Sequence, residues 1–314
     1  MIQVALHPVF HQTKLVRPFK YIKVLSDVHV EFGAFEVRPH EFDKDTVLVL
    51  AGDIFPVAYL TGTDYRSLNH AKHLHAFLRS IQENEYHTVI AIAGNHEFYG
   101  SEVETGLKTL RNLYAAYDIV FLENEAYPIQ HASGKWFSFF GSVFWTDLKK
   151  NDPIVTWNIQ KRMNDYNCIY AVKEYADGKR EGVIRGEDTV EFNKKARSAL
   201  AEHMMQIQMV TEAGGRPMDV IVVSHHAPDF MSVKLEYRTD EMSYGYFNTG
   251  MQDFYLDKVA IPLWIHGHTH NKVKYKMFDT VVYTNPRGYD GHEQTGFDDS
   301  EILTLEDFMS APVV

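Results

Sequence analysis

The chain has 314 residues, 45% hydrophobic and 23% charged, the proportions of a globular protein with ample length for a buried core. A formal net charge of −11 argues against an extended nucleic-acid-binding face, which needs clustered cations. The lone cysteine, Cys168, excludes an intramolecular disulfide and a cysteine-rich zinc site and suits a reducing cytoplasm. No window approaches the run of about 18 apolar residues that suggests a membrane span.

Residues 1–20 read as a short extension or added edge strand, and they lack the apolar core and cleavage pattern of a secretory signal. The β-rich run Tyr21–Leu25 then leads into Ser26-Asp27-Val28-His29. Residues 46–51 form a continuous apolar run ending in Gly52-Asp53, the pattern of a strand covered on both faces. Leu68, Ala71, Leu74, Leu78 and Ile81 recur at helical spacing. A third apolar run, 88–93, ends in Gly94-Asn95-His96-Glu97. Ser101 with Glu104 predicts a capping box for a helix carrying Val103, Leu107, Leu110 and Tyr114.

A short strand at 119–122 precedes a hairpin of β-rich segments, 127–130 and 136–145. Residues 146–188 are polar and weakly periodic, and a stretch of that length reads either as an irregular cap insertion over a cleft or as a plain surface excursion. A long helix is predicted over 189–211, stopped by Gly214-Gly215-Arg216-Pro217. The strand 220–223 delivers Ser224-His225-His226, and a helix is expected over 252–259. The apolar run 261–265 ends in His266-Gly267-His268-Thr269-His270. Alternation predicts that His268 and His270 share one side of an extended backbone, and Gly267 permits a turn or a close approach. A final hairpin, 272–277 with 280–283, precedes Asn285-Pro286-Arg287-Gly288-Tyr289. Without an internal repeat or a clear linker, 1–314 is expected to be a single domain.

Five segments thus share one design, an apolar strand followed by a turn that presents Asp, Asn or His. Strand ends in α/β sheets are where ligands bind, so Asp27, His29, Asp53, Asn95, His225, His268 and His270 are expected to meet in one cleft. Carboxylate oxygen with imidazole nitrogen and no thiolate favours Mn²⁺, Fe or Zn²⁺ at a catalytic site. Seven groups exceed one tetrahedral ion but suit two ions around a shared carboxylate.

The motifs Asp27-Val28-His29, Gly52-Asp53, Gly94-Asn95-His96-Glu97, His225 and Gly267-His268-Thr269-His270 resemble those of the calcineurin-like metallophosphoesterases, in that family's order over residues 21–290. The resemblance implies a four-layer α/β/β/α sandwich. It assigns Asp27, His29, Asp53 and His270 to a first metal, with Asp53 bridging to a second that adds Asn95, His225 and His268. Two divalent ions are implied, Mn²⁺ favoured over Fe or Zn²⁺, with a metal-bridging hydroxide as nucleophile. His96 would then stabilise the phosphoryl oxygens or protonate the leaving group. The closing Asn285-Pro286-Arg287-Gly288-Tyr289 resembles a bacterial and phage branch of the family.

His226 is a candidate for substrate contact or for a structural role beside the ligands, and Arg287 for a bidentate phosphate grip or a solvent-exposed turn. Glu97 and Tyr99 are candidate cleft residues, and Asp147, Met163, Asn164, Asp165 and Tyr166 candidate rim residues, while His266 is expected to be packed. Gly52-Asp53-Ile54-Phe55-Pro56 lacks the Asp-Arg-Gly of the Ser/Thr protein phosphatases, which argues against that activity. The expected function is a cytoplasmic phosphodiesterase acting on a small nucleotide or cyclic nucleotide. The alternatives are a DNA or RNA nuclease of the same superfamily and a non-catalytic scaffold. Oligomeric state is not legible.

Overall fold

The apolar runs become the strands of two sheets in the computed structural model, which describes residues 17–175 and 178–309. Strands β1 (Tyr21–Leu25), β2 (Thr46–Ala51), β3 (Thr88–Ile92) and β4 (Val120–Phe121) pair in that order, all parallel. Every residue of β2 is buried, as its unbroken apolar run predicts for a strand with a layer on each face. Next come two antiparallel hairpins, β5 (Glu125–Gln130) with β6 (Trp136–Ser142), and β7 (Tyr170–Tyr175) with β8 (Gly178–Val183). The remaining strands are β9 (Asp219–Ser224), β10 (Leu263–Ile265), β11 (Val273–Met277) and β12 (Thr280–Thr284). They join the first hairpin in a six-stranded sheet of order β11-β12-β10-β9-β6-β5.

Side-chain alternation along each strand builds three apolar layers. Val47, Val49, Ile90 and Ile92 of the first sheet meet Phe137, Phe139, Ile221 and Val223 of the second in one buried cluster. On the far side of the first sheet, Leu48 and Leu50 pack with Leu74, Phe77 and Leu78 of the helix Tyr65–Glu83 and Leu110 and Tyr114 of the helix Val103–Ala116. On the far side of the second, Val220, Val222 and Trp264 pack against Ala196, Leu200, Met204 and Ile207 of the helix Gly186–Glu212. The result is the α/β/β/α sandwich, with the C-terminal ends of β1, β2, β3, β9 and β10 on one edge. No helix among the described residues is long and apolar enough to cross a membrane.

Three local expectations are corrected. The helix Val103–Ala116 is capped by Glu102, whose carboxylate accepts from the Glu104 and Thr105 N–H groups. Ser101 lies one residue too early for the capping box assigned to it. The helix expected over 252–259 is a single turn, Gln252–Tyr255. Residues 146–188 are more regular than their composition suggests, holding the helix Pro153–Arg162 and the β7–β8 hairpin. Asp152 caps that helix at Ile154 and Val155, with Pro153 pre-set for its first turn. Residues 1–16 of the expected extension lie outside the described residues; Phe19 bridges in parallel to His131 beside β5.

Candidate metal centre

The turns after the strands share an unusual backbone. Asp27, His29, Asp53, His268 and His270 have φ of 50°, 46°, 55°, 67° and 44°, in the left-handed region that costs a non-glycine residue about 1 kcal/mol or more. Five of the seven predicted ligands therefore occupy a strained conformation that the surrounding structure must impose. Part of the restraint is visible: the Asp27 N–H donates to the Gly52 carbonyl, the His29 N–H to that of Asp53, and the Gly267 N–H to that of His225, each at 3.0 Å. Close approach does the rest. A Cβ at Gly267 would stand 2.8 Å from Asp27 Oδ2, and one at Gly94 would stand 2.2 Å from Asp53 Oδ1.

These turns bring the seven predicted residues together. Ligand atoms of Asp27, His29 and His270 lie within 4.8 Å of one another, as do those of Asp53, His225 and His268. Each trio could hold a metal ion. Asp53 stands between them, with Oδ2 3.2 Å from His225 Nε2 and 3.7 Å from His29 Nε2. Asn95 Oδ1 completes the second trio at 3.1 Å from His225 Nε2. The alternation argument for His268 and His270 fails, because positive φ at both breaks the extended backbone and the two imidazoles go to different trios.

The donor set fits cations. Asp27 Oδ2 and His268 Nε2 are buried without a hydrogen-bond partner, a costly state for polar atoms that an ion would relieve. His29 Nε2 and His270 Nε2 face each other at 3.2 Å. The opposite ring nitrogens are held by oxygen: His225 Nδ1 donates to the Ala51 carbonyl at 2.9 Å, His29 Nδ1 meets Glu31 at 3.2 Å, and His270 Nδ1 meets Glu293. Such partners fix the ring and leave Nε2 to the ion. Burial opposes ionisation of Asp27 and Asp53, but the facing imidazoles of His270 and His225 outweigh it and hold both below the usual carboxylate range. Burial likewise pushes His29 and His268 down, whereas the carboxylates beside His225 and His270 prevail over burial and raise them to about 9 and about 10.

His96 lies at the edge of this cluster. Its N–H donates to Asp53 Oδ1 at 2.8 Å and its ring stacks on Tyr99 at 4.1 Å. It faces a cavity of about 320 Å³ together with Asp53, Asn95, His268 and His270. Of the candidate rim residues Met163, Asn164 and Asp165 line this cavity, as does Tyr99. Asp147 instead bonds Thr249, and Tyr166 is buried against Thr189.

Three other candidates stand elsewhere. His226 does not line the cavity; it is buried against His268 and Trp145, with Nδ1 3.3 Å from the Val143 carbonyl. Arg287 donates to the Val28 and Gly33 carbonyls and pairs with Asp290, a brace for the turn after β1 that leaves no bidentate phosphate grip. Glu97 is fully buried behind Asp53, where its carboxylate accepts from the backbone N–H groups of Asp53, Ile54 and Gly94 at 3.0, 2.6 and 2.7 Å. It is a scaffold for the turns and does not line the cleft. His266 is buried, bonded to Ser232 Oγ at 2.8 Å.

Sequence reasoning missed Glu31, Glu293 and Tyr289. Glu31 follows His29 by two residues, and the alternation Asp27-Val28-His29-Val30-Glu31 was the available signal. Tyr289 sits at the end of the closing motif, its hydroxyl 3.4 Å from His96 Nε2. Glu293 lies in an aperiodic polar loop that carried no signal.

A sequence model of the calcineurin-like phosphoesterases matches residues 20–272. No curated protein matches the chain. Among solved structures, phosphopantetheinyl hydrolase from Mycobacterium tuberculosis superposes with a TM-score of 0.59 at 14% identity, covering 87% of this chain and 90% of its own. A provisionally assigned 5′-nucleotidase from Staphylococcus aureus, in complex with alpha-ketoglutarate, gives a TM-score of 0.45 at 14% identity over 85% of this chain and 49% of its own.

Proposed function

The chain belongs to the calcineurin-like phosphoesterases, a family of dinuclear-metal-dependent hydrolases, and on that premise we propose that it is a phosphodiesterase acting on a diester bond of a small nucleotide-type substrate such as a cyclic nucleotide. The observation that carries this reading is the position of Asp53, a carboxylate that belongs to one ligand trio and also approaches His29 of the other. Asp27, His29 and His270 would hold one cation, Asn95, His225 and His268 the other, and Asp53 both. Mn²⁺ suits this mixture of carboxylate, amide and imidazole donors. When bound, two divalent cations supply Lewis acidity that makes water nucleophilic near neutral pH and offsets phosphoryl charge.

The chain's own groups supply the remainder. His96 meets the cavity from beside the trios, and the carboxylates of Asp53 and Glu31 overcome burial to raise its pKa. From that position it can deliver a proton to the departing oxygen. Tyr289, next to His96 Nε2, helps fix the ring. Residues 162–165 wall the cavity from the 146–188 segment, which supports its reading as a cap. Lys234 lines the cavity and forms no ion pair among the described residues, whereas Arg162 is held by Asp240. So few free cations favour a small diester over a nucleic acid.

The test is a panel of bis-p-nitrophenyl phosphate, p-nitrophenyl phosphate, nucleotides, cyclic nucleotides and single-stranded DNA, run with Mn²⁺, Fe²⁺ and Zn²⁺. Diester turnover that exceeds monoester turnover is expected. Absence of hydrolysis with every metal would overturn the proposal, and faster degradation of DNA than of any small diester would move it to a nuclease.

A further inference from the structure

We infer that the leaving arm of the substrate lies in a second, apolar cavity meeting the metal-centre cavity at His96, and that this arm carries a planar ring. The inference rests on the phosphoesterase reading and adds a subsite to it. The second cavity, of about 600 Å³, is walled by Phe32, Pro56 and Tyr59, with Glu31, Arg66 and His292 also in its lining. It shares His96, Tyr99, Asn164 and Tyr289 with the first cavity. Asp53, Asn95, His268 and His270 line the first, and none of the seven predicted ligands lines the second.

That asymmetry gives the two cavities different roles. In an in-line displacement the leaving oxygen departs opposite the attacking one. With attack from the side of the Asp27 and Asp53 trios, a group leaving past His96 would enter the second cavity, which none of the seven predicted ligands lines. One water supplies both the oxygen that stays on phosphorus and the proton that ends, by way of His96, on the departing oxygen; the P–O bond to the arm breaks and no further reagent is needed.

The lining specifies the arm. Phe32 is 52% exposed although aromatic, and its ring stands edge-on to Tyr289 at 4.9 Å. Phe32, Tyr59 and Tyr289 together line the cavity, and aromatic walls select planar rings through stacked or edge contacts. The Arg66 guanidinium stands 5.7 Å from the Tyr59 ring centroid, placing a cation where a ring substituent bearing oxygen would be met.

The experiment is calorimetric titration of the full, Mn²⁺-loaded protein with phenylphosphonate and with methylphosphonate, which have the same head and no leaving group. Phenylphosphonate should bind about tenfold tighter, the order expected for burying a ring. In Phe32→Ala and in Tyr59→Ala that ratio should fall toward one. Equal affinities in the wild-type protein, or a ratio that survives both substitutions, would overturn the subsite. If bis-p-nitrophenyl phosphate is still hydrolysed in that case, the phosphoesterase reading stands without it. If neither phosphonate binds and no diester is hydrolysed, that reading itself is lost, and the subsite with it.

Discussion

The Asn95 side-chain amide donates to the Asp165 carboxylate over 2.9 Å, so a residue of the 146–188 segment sets the rotation of a residue at the end of β3. With Nδ2 committed, Oδ1 turns toward His225, 3.1 Å away. The Tyr99 hydroxyl donates to the same Asp165 oxygen at 2.7 Å, which fixes that carboxylate in turn. Asp165→Ala should leave the Asn95 amide free to rotate and weaken Mn²⁺ binding about 10- to 100-fold, the usual effect of removing a group that orients a ligand. Metal titration with circular dichroism as a fold control measures it. Unchanged affinity would show that Asn95 keeps its orientation without Asp165.

Asp53→Asn addresses the shared carboxylate. An amide keeps the shape but loses the charge and turns one of two acceptor oxygens into a donor. That donor would face either the His225 and His29 nitrogens or the His96 N–H, all of which Asp53 now meets. Both ions should be affected together, and elemental analysis should find less than half the wild-type metal per chain. Loss of only one ion would assign Asp53 to a single trio.

His96→Asn separates chemistry from binding. The His96 backbone N–H contacts Asp53, and its imidazole, grouped with His29 and Glu31, belongs to neither trio that contains Asp53 or Asp27. If those two trios alone hold the ions, metal content is unchanged while kcat falls about 10²- to 10⁴-fold, the range for a lost general acid; a fall in metal content would assign an ion to His29, Glu31 and His96. Turnover equal to wild type would remove His96 from the mechanism.

The residues that meet at the candidate centre were legible because each follows a strand that periodicity reveals. The unbroken apolar runs before Gly52-Asp53 and Gly94-Asn95 required layers on both faces, and those layers placed the strand ends on one edge. What periodicity could not show was the conformation of the turns. His268 and His270 alternate in sequence, yet left-handed φ at both sends them to different trios. Arg287 and Glu97 misled for a related reason: motif position put them near the site without saying which way they face. Both were spent on backbone groups, Arg287 on the Val28 and Gly33 carbonyls and Glu97 on the N–H groups behind Asp53. Glu293 reaches the centre through a loop whose course depends on tertiary contacts alone, whereas Glu31 continues the alternation from Asp27 and Asp165, named only as a rim residue, begins the short helix Asp165–Cys168.

The role found for Glu97 makes a stability prediction. Burial, with Asp53 nearby, raises its pKa to about 7, although three close backbone N–H groups favour the ionised form. Glu97→Gln would replace one of the two accepting oxygens with a donor aimed at those same N–H groups. A buried clash of donors costs about 2–3 kcal/mol, and thermal unfolding of the metal-free protein should show a Tm lower by several degrees. An unchanged Tm would mean that the turns hold themselves without this carboxylate.

His203, remote from the metal centre, predicts how stability responds to acid. Burial pushes its imidazole down to about 4 from the ordinary 6.5, and Nε2 lies 2.9 Å from Ser138 Oγ on β6. Because the unfolded chain takes the proton first, the neutral folded form is at no disadvantage above pH 6.5. Stability is then lost progressively as pH falls from 6.5 toward 4. His203→Gln keeps an acceptor for Ser138 and removes the titration. The variant should match the pH profile of the wild-type protein above pH 7 apart from a constant offset. At pH 5 it should retain about 2 kcal/mol more of its neutral-pH stability. Urea unfolding of both proteins at pH 7.5 and pH 5 supplies the comparison, and identical losses on acidification would show that His203 protonates in the folded state without cost.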